Sequence, residues 1–74
     1  MEYEKIKVTL EKYGLSHNES KVYLTLLSLG SAMAGRIAKE AMMDRSSCYD
    51  ALKKLLKAGL VSYAVEANRK LFSF

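Results

Sequence analysis

The chain has 74 residues, 50% hydrophobic and 27% charged, with no Pro, no Trp, one Cys and a formal net charge of +4. That length holds one compact domain, residues 1–74, with a small core, and the composition excludes disordered, collagen-like and disulfide-built classes. Residues 1–35 carry four basic and four acidic side chains, whereas residues 36–74 carry eight basic and four acidic ones, so the whole positive excess lies in the second half.

In chain order, Tyr3, Ile6, Leu10 and Tyr13 recur at three- and four-residue spacing, which predicts an amphipathic helix ended by Gly14. Ser16-His17-Asn18-Glu19 fits a capping box and predicts the start of a second helix. Its apolar residues Val22, Tyr23, Leu24, Leu26, Leu27 and Leu29 cover more than half of the circumference, so this helix must touch several partners before Gly30 ends it. Ser31-Ala32-Met33 is long enough only for a turn or a stub of strand. A short third helix follows over 34–41, with Ile37, Ala38 and Ala41 inward and Arg36, Lys39 and Glu40 outward.

Asp44 is the natural N-cap of a fourth helix over 45–58, stopped by Gly59. Cys48, Leu52 and Leu55 mark its apolar side, with Ala51, Tyr49 and Leu56 at the margins. Ser46, Asp50, Lys53 and Lys57 lie opposite, flanked by Ser47 and Lys54. Residues 61–65 and 70–74 alternate with period two and are rich in β-branched and aromatic types, which predicts a hairpin turning through Glu66-Ala67-Asn68-Arg69. Asn68 best suits a left-handed position there. Met42 stands at the bend between the third and fourth helices, where no Gly is present. The bend therefore needs either ordinary dihedrals or some strain, and the Met42–Met43 pair is expected to pack the turn.

This is the element order of a winged helix-turn-helix: mainly α, three to four helices and a C-terminal β-hairpin wing. The helix-turn-helix falls at about 34–58 and the wing at about 61–74. The residues also carry a resemblance. The stretch LSHNESKVYLTLLSLG from Leu15 to Gly30 resembles the opening signature of the TrmB-like winged-helix transcriptional regulators. The blocks Ala34-Gly35-Arg36-Ile37-Ala38-Lys39-Glu40, Arg45-Ser46 with Tyr49-Asp50-Ala51-Leu52, and Lys57 to Val61 are similar to that family's helix-turn-helix and approach to the wing. The resemblance spans about residues 13–74 and implies sequence-specific binding of double-stranded DNA in transcription regulation. Ser47 stands where these regulators often carry a basic residue, Cys48 replaces their usual β-branched one, and the wing tip is a short basic Asn68-Arg69-Lys70. Many relatives append a sugar-binding domain, for which this length has no room, so no small-molecule effector is expected.

For such a fold the fourth helix enters the major groove, the third crosses the backbone and the wing lies by the adjacent minor groove. Ser46, Ser47, Tyr49 and Asp50 then fall near base edges, and Asn68 at the wing tip. Arg36, Lys39, Arg45, Lys53, Lys54, Lys57, Arg69 and Lys70 fall on phosphates. A solvated helix face accounts for part of the same pattern: Asp50 and Lys54 are spaced for an i,i+4 ion pair worth about 0.3–0.5 kcal/mol. A protein-interaction module built on the same fold is the alternative function. No zinc constellation, Ser-His-acid arrangement or Gly-rich phosphate loop is present, so neither an enzyme nor a metal or cofactor site is expected. Cys48 reads as a core residue, with a redox-sensing thiol as the alternative.

No run of about 18 apolar residues and no basic-then-apolar leader occurs, giving the expectation of a cytoplasmic protein without a membrane segment. A small core and the neutral N-terminal half favour a homodimer through the N-terminal helices, with Val8 and Leu24 as candidates for intersubunit burial.

Overall fold

The computed structural model describes residues 2–73, with side-chain surroundings from residue 5 onward; the side chain of Tyr3, and Phe74, lie outside the described residues. Among these the chain forms α1 (Glu2–Lys12), α2 (His17–Leu29), β1 (Ser31–Ala32), α3 (Ala34–Ala41), α4 (Arg45–Lys57), β2 (Ser62–Glu66) and β3 (Arg69–Ser73). Local chemistry sets most boundaries. Ser16 Oγ accepts from the Glu19 amide at 3.1 Å while Glu19 Oε1 accepts from the Ser16 amide at 3.2 Å, closing the expected capping box of α2. Asp44 caps α4, its Oδ2 accepting from the Ser47 amide at 3.2 Å and its Oδ1 from the Ser47 hydroxyl at 2.8 Å.

Three helices end in the same paired hydrogen bonds. Leu15 and Gly14 donate to the Leu10 and Glu11 carbonyls after α1, Met43 and Met42 to those of Ala38 and Lys39 after α3, and Leu60 and Gly59 to those of Leu55 and Leu56 after α4. The residue at the turning point has φ of 96° at Gly14, 76° at Gly59 and 58° at Met42. The helix-turn-helix bend is therefore made in the left-handed region by a residue with a β-carbon. Nothing in the packing repays that strain, because Met42 is 86% exposed. Only Met43 of the expected pair packs against the core.

The hairpin turn is two residues shorter than the sequence predicts. Glu66 pairs with Arg69, leaving a two-residue turn of Ala67 and Asn68 with φ of 50° and 63°. Both lie in the left-handed region, so the turn matches the right-handed strand twist. β1 pairs with β3 through Ser31–Ser73 and Ala32–Phe72, so the stub before α3 becomes the third strand of an antiparallel sheet ordered β1-β3-β2. This places Phe72 on the central strand and buries it, which ties the wing to the helices.

The core joins Val22 and Leu26 of α2, Ile37 and Ala38 of α3, Cys48, Leu52 and Leu55 of α4, and Val61 and Phe72. α2 packs against α1, α3 and α4, as its broad apolar arc requires. That central position also buries Leu24, 4% exposed within one chain, so it is not available to a second subunit. Leu27 is the α2 residue left exposed instead, together with Ile6, Val8 and Tyr13 from α1 and its end. The apolar stripe read for the first helix is thus only partly inward: Leu10 is half-buried while Ile6 and Tyr13 face solvent.

Replacing Met42 by Gly removes the left-handed strain without loss of packing and is expected to raise stability by about 0.5–1 kcal/mol. Met42→Ala is expected to stay within about 0.5 kcal/mol of the parent, since it alters only an exposed side chain. Urea midpoints at unchanged m-value check both.

Candidate nucleic-acid interface

α4 starts beside the start of α3 because Asp44 fixes its first turn and Cys48 ties its second to α3. The Cys48 thiol is fully buried and donates to the Ala34 carbonyl at 3.6 Å. Burial pushes its pKa up from 9.0 to about 11, so it stays a protonated core thiol at neutral pH. The Asp44 carboxyl is held below its ordinary value by the Ser47 hydroxyl and then the Ser47 amide. Being exposed, it serves mainly to fix the helix start.

With the buried side of α4 fixed, its other residues separate at about 100° each into a crest and two flanks. Ser46, Lys53 and Lys57 form the crest and are exposed. On one flank, Arg45 and Tyr49 line a cleft of about 740 Å³ that is closed by the first turn of α3 and by the wing tip. Arg36 enters it from α3, and Asn68, Arg69 and Lys70 from the hairpin. Met33, Ala34 and Gly35 complete the lining, so the cleft holds four cationic side chains and no carboxylate. Both wing cations are placed by soft partners. Arg69 Nη1 lies 3.9 Å from Met33 Sδ, and Lys70 Nζ lies 4.7 Å from the centre of the Tyr63 ring.

The other flank faces α2. Ser47, Asp50 and Lys54 line a small groove with Ser16, Asn18 and Glu19. Lys54 does not pair with Asp50 as its spacing suggests. Its Nζ lies 3.6 Å from Glu19 Oε2, because α2 brings across the groove a carboxylate already fixed by the capping box. Glu19 thus joins the start of α2 to α4. Ser47 has likewise spent its hydroxyl proton on Asp44.

The structure therefore gathers Arg36, Arg45, Tyr49, Asn68, Arg69 and Lys70 around one cleft and Ser47, Asp50 and Lys54 around a second groove. Ser46, Lys53 and Lys57 stand on the crest, and Lys39 is exposed on α3 outside both. Sequence reasoning passed over Met33 and Gly35. The only mark at Gly35 was a glycine inside a helical pattern with no turn to make. Met33 carried no signal before the wing folded back on it. Among the described residues no group of His, Cys, Asp and Glu is arranged to hold a metal, and no helix is long and apolar enough to cross a membrane.

The family described as sugar-specific transcriptional regulator TrmB matches residues 10–73. The chain belongs to the TrmB family. A TrmB-family relative, the HTH-type sugar sensing transcriptional regulator TrmBL1 of Pyrococcus furiosus, is 41% identical over 58 residues, covering 78% of this chain. This chain spans 17% of the length of that relative. Among solved structures, a MarR family transcriptional regulator from Silicibacter pomeroyi matches with a TM-score of 0.73 at 18% identity, covering 95% of this chain and 48% of the other. That likeness establishes the winged helix-turn-helix fold for this TrmB-family chain.

In the native protein Cys48 is expected to resist alkylation by iodoacetamide at about pH 8, whereas the urea-unfolded chain reacts readily, as read by intact mass. Because the unfolded chain releases this thiol proton first, stability is expected to fall as pH rises from 9.0 towards about 11. Replacing Cys48 by Ala should remove that part of the pH dependence.

Proposed function

We propose that this domain binds double-stranded DNA in a sequence-specific manner, as a homodimer, to regulate transcription. The observation that carries the reading is the cleft between α3, α4 and the wing tip, with four cations and no carboxylate, beside an exposed helix crest bearing two more lysines. Such a surface answers a polyanion with a regular groove. The crest of α4 enters the major groove, with Ser46 and Tyr49 nearest the base edges and Ser47 and Asp50 on the flank towards α2. Arg36, Lys39, Arg45, Lys53, Lys57, Arg69 and Lys70 take phosphates, and the wing tip with Asn68 reaches the adjacent minor groove. Lys54 contributes mainly through its tie to Glu19. The exposed apolar residues Ile6, Val8 and Leu27 support pairing through the N-terminal helices, which places two α4 crests on half-sites about one helical turn apart. The neutral first half suits that role.

If about five of these seven cations each neutralise a phosphate per protomer, log affinity for duplex DNA falls against log salt with a slope of about −4 to −5 per protomer. Arg69→Ala and Lys53→Ala together are expected to flatten the slope by about two, and Lys54→Ala to change it least. Selection from random duplexes supplies the DNA. Flat, millimolar binding at low salt would overturn the reading and favour a protein-interaction module. Sedimentation equilibrium at tens of micromolar is expected to give a dimer for the parent and a monomer for Val8→Glu.

A further inference from the structure

Gly35 occupies the first turn of α3, with no positive φ to require a glycine there. Inside a helix Gly is the poorest choice after Pro, so the position has given up helix propensity. The space around it shows what that concession provides. A β-carbon built on Gly35 would lie 2.8 Å from Arg45 Nη2 and 3.4 Å from both Arg45 Cζ and Nε. The guanidinium therefore rests against the bare backbone of α3, in a notch that any side chain would fill. No hydrogen bond or ion pair holds Arg45 among the described residues, and the neighbouring Asp44 oxygens are taken up by Ser47. Arg45 is positioned by shape alone, with its donors free to face the cleft it shares with Arg36 and Arg69.

We infer that Gly35 is a positioning residue for DNA binding, its missing side chain forming the seat that aims the Arg45 guanidinium at a backbone phosphate. This rests on the DNA-binding reading above. The fork of an Arg gains most when its plane is set before the phosphate arrives, because less rotamer freedom is then lost on contact. With a methyl group at position 35, Arg45 swings outward, keeping its charge and losing its aim. The displaced atoms are the far end of a flexible side chain, so the fold survives and α3 gains helix propensity.

The test compares the parent with Gly35→Ala, Arg45→Ala and the double variant, using a duplex selected by the parent from random sequence and a thermal melt of each protein. Gly35→Ala is expected to melt at the same temperature or higher yet to bind roughly tenfold more weakly, close to Arg45→Ala. The double variant is expected to bind no worse than Arg45→Ala, since both changes remove one contact. A purely structural role would move the melting temperature and the affinity downward together. In the unaltered protein, an NMR cross-peak between Arg45 Hε and the Gly35 α-protons is expected. Its absence would overturn the seat independently of any variant. If the parent binds the duplex and Gly35→Ala binds equally well, or the two losses add, the positioning role fails and the DNA-binding reading stands. If the parent shows no salt-dependent binding to any duplex, the reading itself fails and the inference with it.

Discussion

The surface assigned to DNA depends on how closely α3 can approach α4. The buried positions of α3 are Ala34, Ile37, Ala38 and Ala41, and α4 meets them with Cys48 and Ala51 alongside its leucines. Side chains this small let the two backbones come near enough for the Cys48 thiol to reach the Ala34 carbonyl. A Val or Ile at position 48 would fill volume but offer no donor. The same approach brings Arg45 against Gly35 and so determines where the first cation of α4 stands. Packing in the core and placement of charge on the surface are one constraint seen from two sides.

Charge is distributed with the same economy. Glu19, buried at the start of α2, uses one oxygen for the capping box and the other for Lys54, which fixes the flank of α4 that faces α2. Across the crest, neither wing cation is ion-paired among the described residues: Arg69 lies by a thioether and Lys70 over an aromatic face. Such partners orient a cation without neutralising it, leaving its field directed outward. One side of α4 is anchored electrostatically and the other is left unsatisfied.

Two turns bordering this surface use left-handed backbone without glycine, at Met42 and at Ala67-Asn68. Each holds an element that lines the cationic cleft at a fixed angle: the first sets α4 against α3, the second turns the wing back so that Asn68, Arg69 and Lys70 reach the cleft. Strain of this kind persists where the surrounding structure overdetermines the backbone. At Met42 the determinant is the paired hydrogen bonds to Ala38 and Lys39, and at the hairpin it is the register that closes on Glu66–Arg69.

Most of the local structure was legible from the residues. Ser16-x-x-Glu19 starts a helix and Asp44 caps another because the groups that satisfy the free amides lie within three residues, and period-two alternation marks the wing. Those signals are short-range and need no knowledge of the fold. Contacts between distant segments were not legible. Spacing along α4 suggested that Lys54 pairs with Asp50, but only the packing of α2 on α4 puts the Glu19 carboxylate within reach. Leu24, by spacing a candidate for intersubunit burial, is instead buried by packing within the chain. The glycine at position 35 was visible in the sequence, yet its meaning waited for Arg45 to arrive from ten residues away. The sequence by itself determined the elements, the one-sided charge and the family. The tertiary structure alone decided which cations share a cleft and which is tied down, because that depends on distances that helix packing creates.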